Sequence, residues 1–207
     1  YIGAIEDYNV VVKLRPKDSI AYVNLAAARV QINDLYGALM DIRKALKLNP
    51  KYEWAYYNRG VIRHFREKFS QAIGDFEMVR EISTDARLVS LAISSVGAVM
   101  QDRGELEKAI NNFDLAIETD PENHRAYFNR ATIKLDSGEL RGALSDYDLA
   151  IRYMPFNSDY YVYRGLTKIS LDDMEGAWHD INKAIGLNPK NSLAYFYRGQ
   201  LRQMLGD

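Results

Sequence analysis

Proline recurs along this chain at a nearly constant spacing, and that spacing restricts the possible folds more than any other feature. The five prolines are Pro16, Pro50, Pro121, Pro155 and Pro189, separated by 34, 71, 34 and 34 residues. The long interval fits two repeats with three extra residues and a boundary that lacks proline. A period of about 34 residues is typical of helical solenoids. Proline suits the boundaries because it cannot continue a helix.

Small and large residues also recur at fixed positions when each repeat is numbered with proline at position 32. Position 8 is small in every repeat: Ala26, Gly60, Gly97, Ala131, Gly165 and Gly199. Position 20 is always alanine: Ala4, Ala38, Ala72, Ala109, Ala143 and Ala177. Position 4 is large: Tyr22, Tyr56, Ile93, Tyr127, Tyr161 and Tyr195. Position 24 is large as well: Tyr8, Ile42, Phe76, Phe113, Tyr147 and Ile181. This spacing predicts two closely packed amphipathic helices per repeat.

The order large, small, small and proline at positions 4, 8, 20 and 32 resembles the tetratricopeptide repeat family. The resemblance implies an all-α fold, a right-handed α-α superhelical solenoid of stacked helix-turn-helix repeats. The predicted units are a half repeat at 1–16, full repeats at 17–50, 51–84, 85–121, 122–155 and 156–189, and a half repeat at 190–207. Neither end shows the polar face of a terminal repeat, so we expect an excerpt of a longer chain. Pentatricopeptide repeats have a similar length but lack this alanine and proline pattern.

The repeat at 85–121 contains the three extra residues, which we place at 83–90. Its boundary has no proline, but Ser83, Thr84 and Asp85 are all residues that can cap a helix. Three residues make nearly one helical turn. We therefore predict that the first helix of this repeat begins about one turn early.

Basic residues occupy two positions that are usually apolar or aromatic in the family. Position 7, usually leucine, holds Arg59, Arg130, Arg164 and Arg198. Position 11, usually tyrosine, holds Arg29, Arg63, Lys134, Lys168 and Arg202. The position 7 arginine coincides with an aspartate at position 23 in three repeats (Asp75, Asp146 and Asp180), whereas Leu25 with Asp41 breaks the correlation. Because an unpaired buried charge is costly, we predict ion pairs within a repeat or with the preceding one. A role of these arginines in ligand binding is the alternative.

The sequence predicts no catalytic, cofactor or metal site. There is no cysteine and no phosphate-binding glycine motif. The three histidines, His64, His124 and His179, lie in separate repeats without metal-ligand spacing. A net charge of -1 gives no reason to expect a nucleic-acid partner, and no apolar run reaches the roughly 18 residues of a membrane span. We expect a protein that is not an enzyme and does not insert directly into membranes.

The resemblance implies that the first helices line a concave groove, with positions 2, 5, 9, 12 and 13 facing it. The aromatic side chains there are candidate anchors for a peptide: Trp54, Tyr57, Phe65, Phe128 and Phe196. Asparagines at position 6 are candidate contacts to a peptide backbone: Asn24, Asn58 and Asn129. The alternative is that these side chains pack against neighbouring first helices or a missing part of the protein. The carboxylate clamp known in the family, with lysine at position 5 and asparagine at position 9, is absent.

Two classes of function agree with this sequence. The first is a non-catalytic scaffold for protein–protein interaction, which binds a peptide or a short helix of another protein in its concave groove. The alternative is a regulatory or substrate-recruiting arm of an enzyme whose catalytic domain lies outside this stretch. The fold does not decide between them, because one fold supports many functions.

Overall fold

The computed structural model describes residues 1–206 and contains twelve α-helices there, with no strand in that range. The helices are α1 (Ile2–Leu14), α2 (Ser19–Val30), α3 (Leu35–Leu48), α4 (Glu53–Phe65), α5 (Phe69–Ile82), α6 (Ala86–Asp102), α7 (Leu106–Thr119), α8 (His124–Asp136), α9 (Leu140–Tyr153), α10 (Ser158–Ser170), α11 (Met174–Leu187) and α12 (Ser192–Leu205). The predicted all-α fold is confirmed.

The even-numbered helices are the first helices of the repeats, and five of the six begin at repeat position 1. Aspartate or asparagine caps four of these five, since the side chains of Asp18, Asn123, Asn157 and Asn191 accept hydrogen bonds from backbone N–H groups of the first turn. Such caps satisfy N–H groups that have no partner inside the helix. The asparagine or aspartate just before these four helices therefore fixes where each of them starts, whereas Tyr52 precedes α4 without a side-chain cap.

Helix α6 is the exception, and it begins early as predicted. It has 17 residues, against 12 to 14 in the other first helices. Its first residue, Ala86, lies four residues ahead of Ser90, which occupies repeat position 1. The Asp85 carboxylate caps the new start by accepting a 2.9 Å hydrogen bond from the Arg87 N–H. The insertion thus adds about one turn to the N-terminus of the helix.

The chain divides into two compact units, Tyr1–Arg103 and the residues from Gly104 onward. Within the first unit, α4 contacts both α2 and α6, whereas α3 and α5 do not meet among the described residues. Within the second, α10 contacts both α8 and α12. First helices therefore pack side by side in each unit, and their free faces form its inner surface.

Small residues at position 8 let the two helices of a repeat approach closely. A Cβ atom placed on Gly60 would lie 2.6 Å from the Phe76 ring, and one on Gly165 would lie 3.0 Å from Ile181. Phe76 and Ile181 are the large residues at position 24 of the same repeats, and both are fully buried. The glycine thus makes the space that the large side chain of the second helix fills.

A fully buried hydroxyl in the aromatic core of the second unit makes no hydrogen bond within residues 1–206. Tyr147 is fully buried beside Phe128 and Tyr163, and its hydroxyl has no partner among residues 1–206. Burial raises the pKa of this phenol above its ordinary value. The nearby Tyr160 is satisfied instead, because its hydroxyl lies 2.7 Å from Nδ1 of His124.

We expect Tyr147→Phe to raise the free energy of unfolding by about 1 kcal/mol, because it removes a buried polar atom that makes no hydrogen bond. The matched control is Tyr160→Phe, which breaks the contact with His124 and should lower the free energy of unfolding by about 1 kcal/mol. Urea denaturation followed by circular dichroism measures both. A loss of stability in Tyr147→Phe would mean that its hydroxyl has a partner in solution.

Candidate binding surface

In three repeats, the aspartate at position 23 lies between two cations from the first helix of the same repeat. The position 7 arginine donates from Nη2 to the carboxylate at 2.7 Å for Arg59–Asp75, 2.6 Å for Arg130–Asp146 and 2.6 Å for Arg164–Asp180. The predicted pairing within a repeat is confirmed. The predicted alternative partner, position 23 of the preceding repeat, is wrong because position 25 is the residue within reach. There Arg164 contacts Asp148 at 2.8 Å, and Arg130 contacts Asp114.

The second cation is the basic residue at position 11. Its ion pair with position 23 was not predicted from the sequence. Arg63 contacts Asp75 at 2.7 Å, and Lys134 and Lys168 contact Asp146 and Asp180 at 2.8 Å. A signal was available, because aspartate at position 23 always accompanies a basic residue at position 11. This rule includes the repeat of Leu25, where Arg29 lies 3.3 Å from Asp41.

In these three repeats, the position 23 aspartate and its two cations form a triad whose charges compensate one another. Burial lowers the pKa of the Arg164 guanidinium, but hydrogen bonds to Asp180 and Asp148 outweigh it, and the pKa lies above its ordinary value. The same holds for Arg130 with Asp146 and Asp114. These arginines are engaged in bracing the two helices, which leaves little of the guanidinium for a ligand.

Asp41 shows what happens when the position 7 arginine is missing. Burial raises the pKa of its carboxyl to about 6, although the charge of Arg29 acts in the opposite direction. Its Oδ2 atom makes no hydrogen bond among residues 1–206, despite lying 3.3 Å from the Arg29 guanidinium. A single cation at this distance does not compensate the burial of the charge.

The inner face of α4 carries one stripe of side chains at positions 2, 6, 9 and 13. These are Trp54, Asn58, Val61 and Phe65, whose spacing puts them on one side of the helix. Trp54 is 39% exposed and Phe65 is 69% exposed. The candidate anchors at both ends of this stripe are therefore accessible.

Asparagines accompany these aromatic side chains. Asn58 donates from Nδ2 to the Trp54 carbonyl oxygen at 2.8 Å, which holds its amide against the helix. On the neighbouring helix α2, Asn24 is exposed and occupies the equivalent position, one turn after the exposed Ile20. Because α2 and α4 are in contact, the two stripes adjoin each other on one surface of the first unit.

Position 5 faces the helix stack rather than the inner surface, which corrects the expectation for Tyr57. This side chain is only 8% exposed. It packs with Phe76 and with the α6 residues Leu88 and Ala92 in one hydrophobic cluster. The physical reason is that α6 approaches α4 on the side where position 5 points. The Tyr57 ring packs edge-on against the Trp54 ring, with 5.7 Å between the ring centroids. It therefore offers little surface to a ligand.

The candidate peptide-binding residues in the second unit also include both packed and accessible side chains. Phe128, at position 5, is half-buried and stacks on Tyr160 with 4.7 Å between ring centroids. Asn129 is also half-buried. Phe196 is 58% exposed, because no further first helix follows α12 in the described residues. Phe128 therefore contributes mainly to packing, whereas Phe196 is accessible.

A depression of about 540 Å³ lies where the stripe of α4 ends. It is lined by His64, Phe65, Glu67, Phe69 and Asp102. Nε2 of His64 lies 2.7 Å from a carboxylate oxygen of Asp102, the last residue of α6. No repeating sequence signal indicates this contact, since it depends on how closely the ends of α4 and α6 approach.

Two kinds of feature are absent from residues 1–206: clusters of metal-ligand side chains and helices that could span a membrane. Among residues 1–206, no group of three or more histidine or acidic side chains is placed to hold a metal ion. No helix in that part of the chain is both long and apolar enough to cross a membrane.

Comparison with known proteins identifies the type of repeat. The sequence model of the tetratricopeptide repeat matches residues 20–52. No curated protein matches the chain at a significant level. Among solved structures, a tetratricopeptide repeat protein from Parabacteroides merdae is similar, with 20% identity and a TM-score of 0.74, over 98% of this chain and 77% of that one. PilF of Pseudomonas aeruginosa has 15% identity and a TM-score of 0.74, over 96% and 90%.

YrrB, described as a tetratricopeptide repeat protein with an unusual peptide-binding site, is 24% identical with a TM-score of 0.56, over 95% of this chain and all of that one. At these identities the likeness concerns the fold. Together with the helix pairs and the match to residues 20–52, it shows that the chain has the fold of a tetratricopeptide repeat array. The predicted solenoid of stacked helix-turn-helix repeats is confirmed.

Proposed function

We propose that this chain is a non-catalytic scaffold for protein–protein interaction, which binds an apolar peptide or short helix of another protein on the inner surface of its first unit. The observation that carries the proposal is the pair of exposed aromatic side chains, Trp54 and Phe65, on one stripe of α4. Large aromatic side chains bury much area at little entropic cost, so they dominate binding energy where they are accessible.

The spacing of the two anchors sets the length of a ligand. Trp54 and Phe65 are eleven residues apart, and a helix rises about 1.5 Å per residue, so they lie about 16 Å apart along α4. An extended peptide of about five residues spans this distance, at about 3.3 Å per residue. A helical ligand needs about three turns to cover it.

Polar groups suited to a peptide backbone lie beside the anchors. An asparagine amide offers both N–H donors and a carbonyl acceptor, which matches the two groups of a peptide bond. Asn24 is exposed and makes no hydrogen bond through its side chain within residues 1–206. The stripes of α2 and α4 contain no lysine or arginine, since positions 2, 6 and 9 are Ile20, Asn24 and Ala27 on α2, and position 13 is Gln31, the residue after this helix. Recognition should therefore depend only weakly on salt.

Similar structures support peptide binding as a class of function. Besides YrrB, the first tetratricopeptide repeat domain of Spaghetti (RPAP3) was solved with the HSP90 peptide SRMEEVD. That domain is 24% identical, with a TM-score of 0.55, over 57% of this chain and 94% of that one. The present chain lacks the carboxylate clamp pattern, so we propose an apolar ligand instead of an acidic one. A recruiting arm of an enzyme would use the same surface.

The test is to select peptides from a random library on the purified chain and to measure their affinity for variants by fluorescence polarisation. We expect selected peptides to carry apolar residues, and we expect Trp54→Ala and Phe65→Ala each to weaken binding about 10- to 30-fold, as anchors do. The matched control is Tyr36→Ala, which removes an aromatic ring that is even more exposed, at 76%, from the second helix α3.

The control variant should bind like the wild type, and the affinity should change little between low and high salt. Circular dichroism should show that all variants remain folded, since each replaced side chain is exposed. If selected peptides bind Trp54→Ala and Phe65→Ala as tightly as the wild type, the proposed surface is wrong. If Tyr36→Ala alone weakens binding, the ligand binds the outer face.

A further inference from the structure

The turn between α9 and α10 is apolar, whereas the other turns that contain proline are polar. Met154 and Phe156 flank Pro155, and Phe156 is 79% exposed. At the other four prolines the flanking residues have charged or amide side chains: Arg15 and Lys17, Asn49 and Lys51, Asp120 and Glu122, and Asn188 and Lys190. The repeat fold therefore does not require an apolar pair at this place, and such a pair is suited to contact a ligand.

This apolar pair lines a depression of about 510 Å³ in the second unit. The depression lies between the first turn of α8, the turn at 154–157 and Asn188, the residue that follows α11. Described helices from α7 to α12 surround it in the chain. Two residues of α8, His124 and Arg125, also line it and supply its polar character.

His124 is half-buried in this depression and uncharged at pH 7. Burial, together with the charge of Arg125, holds the pKa of its imidazole below the ordinary value. Nδ1 of this ring lies 2.7 Å from the Tyr160 hydroxyl. Burial raises the pKa of the Tyr160 phenol to about 12, so this group keeps its proton as well.

The hydrogen bonds of Tyr160 decide which imidazole nitrogen carries the proton. The Asn157 side chain hydrogen-bonds to Tyr160 and favours its charged form, as a donor to the phenol oxygen does. The phenol proton has no acceptor within residues 1–206 other than Nδ1 of His124. Nδ1 is therefore the acceptor, and the proton of the neutral ring is on Nε2. Nε2 has no partner in that part of the chain, so its N–H group is free to donate.

Arg125 carries the only charge among the described residues that line the depression. It is exposed, and its guanidinium forms no ion pair or hydrogen bond within residues 1–206. The nearby acid of α10, Asp159, does not line the depression, and its carboxylate accepts a 2.7 Å hydrogen bond from Asn191. The depression thus offers a guanidinium and an imidazole N–H beside an apolar wall, without a carboxylate of its own.

We propose that this depression binds an aspartate or glutamate side chain of a peptide segment that also carries a large apolar side chain. The Arg125 guanidinium donates to the carboxylate of the ligand, and Nε2 of His124 adds a second hydrogen bond. Met154 and Phe156 cover the apolar side chain. One cation matches the single charge of a carboxylate, whereas a phosphate group brings a charge of about −2 to the same arginine.

The carboxylate of the ligand belongs to a side chain and not to a chain terminus. Terminal carboxylates are captured by free backbone N–H groups. Around this depression such groups are already bonded, because the side chains of Asn123, Asn157 and Asn191 accept hydrogen bonds from the first turns of α8, α10 and α12. The ligand therefore meets side-chain donors.

This site is separate from the proposed peptide surface on α4. Trp54 and Phe65 belong to the first unit, and the depression lies within the second. The stripe of α4 is uncharged and should bind with little dependence on salt, whereas a contact with Arg125 should weaken as salt rises. The failure of one proposal therefore leaves the other standing.

The test uses short peptides, amidated at the C-terminus, that carry one glutamate and one phenylalanine at a range of separations. Surface plasmon resonance with immobilised peptides measures their affinity for the 207-residue chain. Peptides with both residues should bind, and replacing the glutamate by glutamine or the phenylalanine by serine should weaken binding about 5- to 10-fold. High salt should weaken binding as well.

Variants of the chain locate the site. Arg125→Gln and Phe156→Ser should each weaken the binding of these peptides about 5- to 10-fold, because the first removes the cation and the second the apolar wall. The matched control is Arg141→Gln, which removes an exposed arginine of α9 that does not line the depression. It should bind like the wild type. Circular dichroism should show that all three variants are folded, since each replaced side chain is exposed.

Three outcomes would overturn the proposal. In the first, peptides with both residues bind no more tightly than peptides with neither, or bind Arg125→Gln and Phe156→Ser as tightly as the wild type. In the second, Trp54→Ala weakens their binding and Arg125→Gln does not, which places them on α4. In the third, a peptide with a free C-terminal carboxylate and no acidic side chain binds equally well, which makes the recognised group a chain terminus.

Discussion

Asp180→Asn should lower the free energy of unfolding by about 3 kcal/mol, because it leaves two partly buried cations without their carboxylate. Asp180 is fully buried and lies between Arg164 at 2.6 Å and Lys168 at 2.8 Å. Each of these cations is less than one-fifth exposed, so water replaces the lost carboxylate poorly. Urea denaturation at pH 7, followed by circular dichroism, measures the effect.

The control for this prediction is the same substitution at Asp41, where the arginine of position 7 is replaced by Leu25. Burial raises the pKa of Asp41 to about 6, so folding is less favourable with this carboxyl charged, as it mostly is at pH 7, than with its neutral form. Asparagine resembles that neutral form, and Asp41→Asn should therefore leave stability at pH 7 unchanged or raise it. A loss as large as that of Asp180→Asn would show that Arg29 alone compensates Asp41.

The pH dependence of the control follows from the direction of the shift. A carboxyl with a raised folded pKa stabilises the fold below its unfolded pKa, and this contribution is lost as pH rises through the folded pKa. The stability of the wild type relative to Asp41→Asn should therefore increase as pH falls from 7 to 4, through the pKa of about 6. A difference that is constant over this range would contradict the shifted pKa.

Ala143→Leu should lower the free energy of unfolding by about 1 to 3 kcal/mol through overpacking. Ala143 is fully buried and lies in the cluster of Ala131 and Tyr147, where Phe128, Leu135 and Tyr163 also pack. Leucine adds three carbon atoms to a position that has no free space. The midpoint of urea denaturation measures the loss.

The matched control is Ser145→Leu, two residues further along the same helix α9. Ser145 is exposed, so leucine there should change stability by no more than about 0.5 kcal/mol. An unchanged midpoint in Ala143→Leu would mean that the assignment of position 20 to the helix contact is wrong. An equal loss in both variants would indicate an effect of helix α9 as a whole and not of packing.

Part of the candidate surface could be predicted from the repeats and part could not. Trp54 and Phe65 are exposed at positions 2 and 13, which face away from both the partner helix and the neighbouring repeat. Tyr57 lies only three residues after Trp54 in the sequence, yet it is buried against α6. The sequence contains the same kind of side chain at both places. Only the approach of the next first helix separates a ligand-accessible ring from a core ring.

The sequence by itself determined the helix pairs, the early start of α6 and the arginine–aspartate pairs between positions 7 and 23 of three repeats. These features are local, because the 3.6-residue period of a helix and the fixed 16-residue separation of Arg59 and Asp75 place the partners without reference to other repeats. The tertiary structure decided the burial of position 5, the contact of Arg164 with Asp148 and the proximity of His64 to Asp102. These contacts join different repeats, so they depend on the angle at which one repeat packs on the next, which the spacing within a single repeat does not specify.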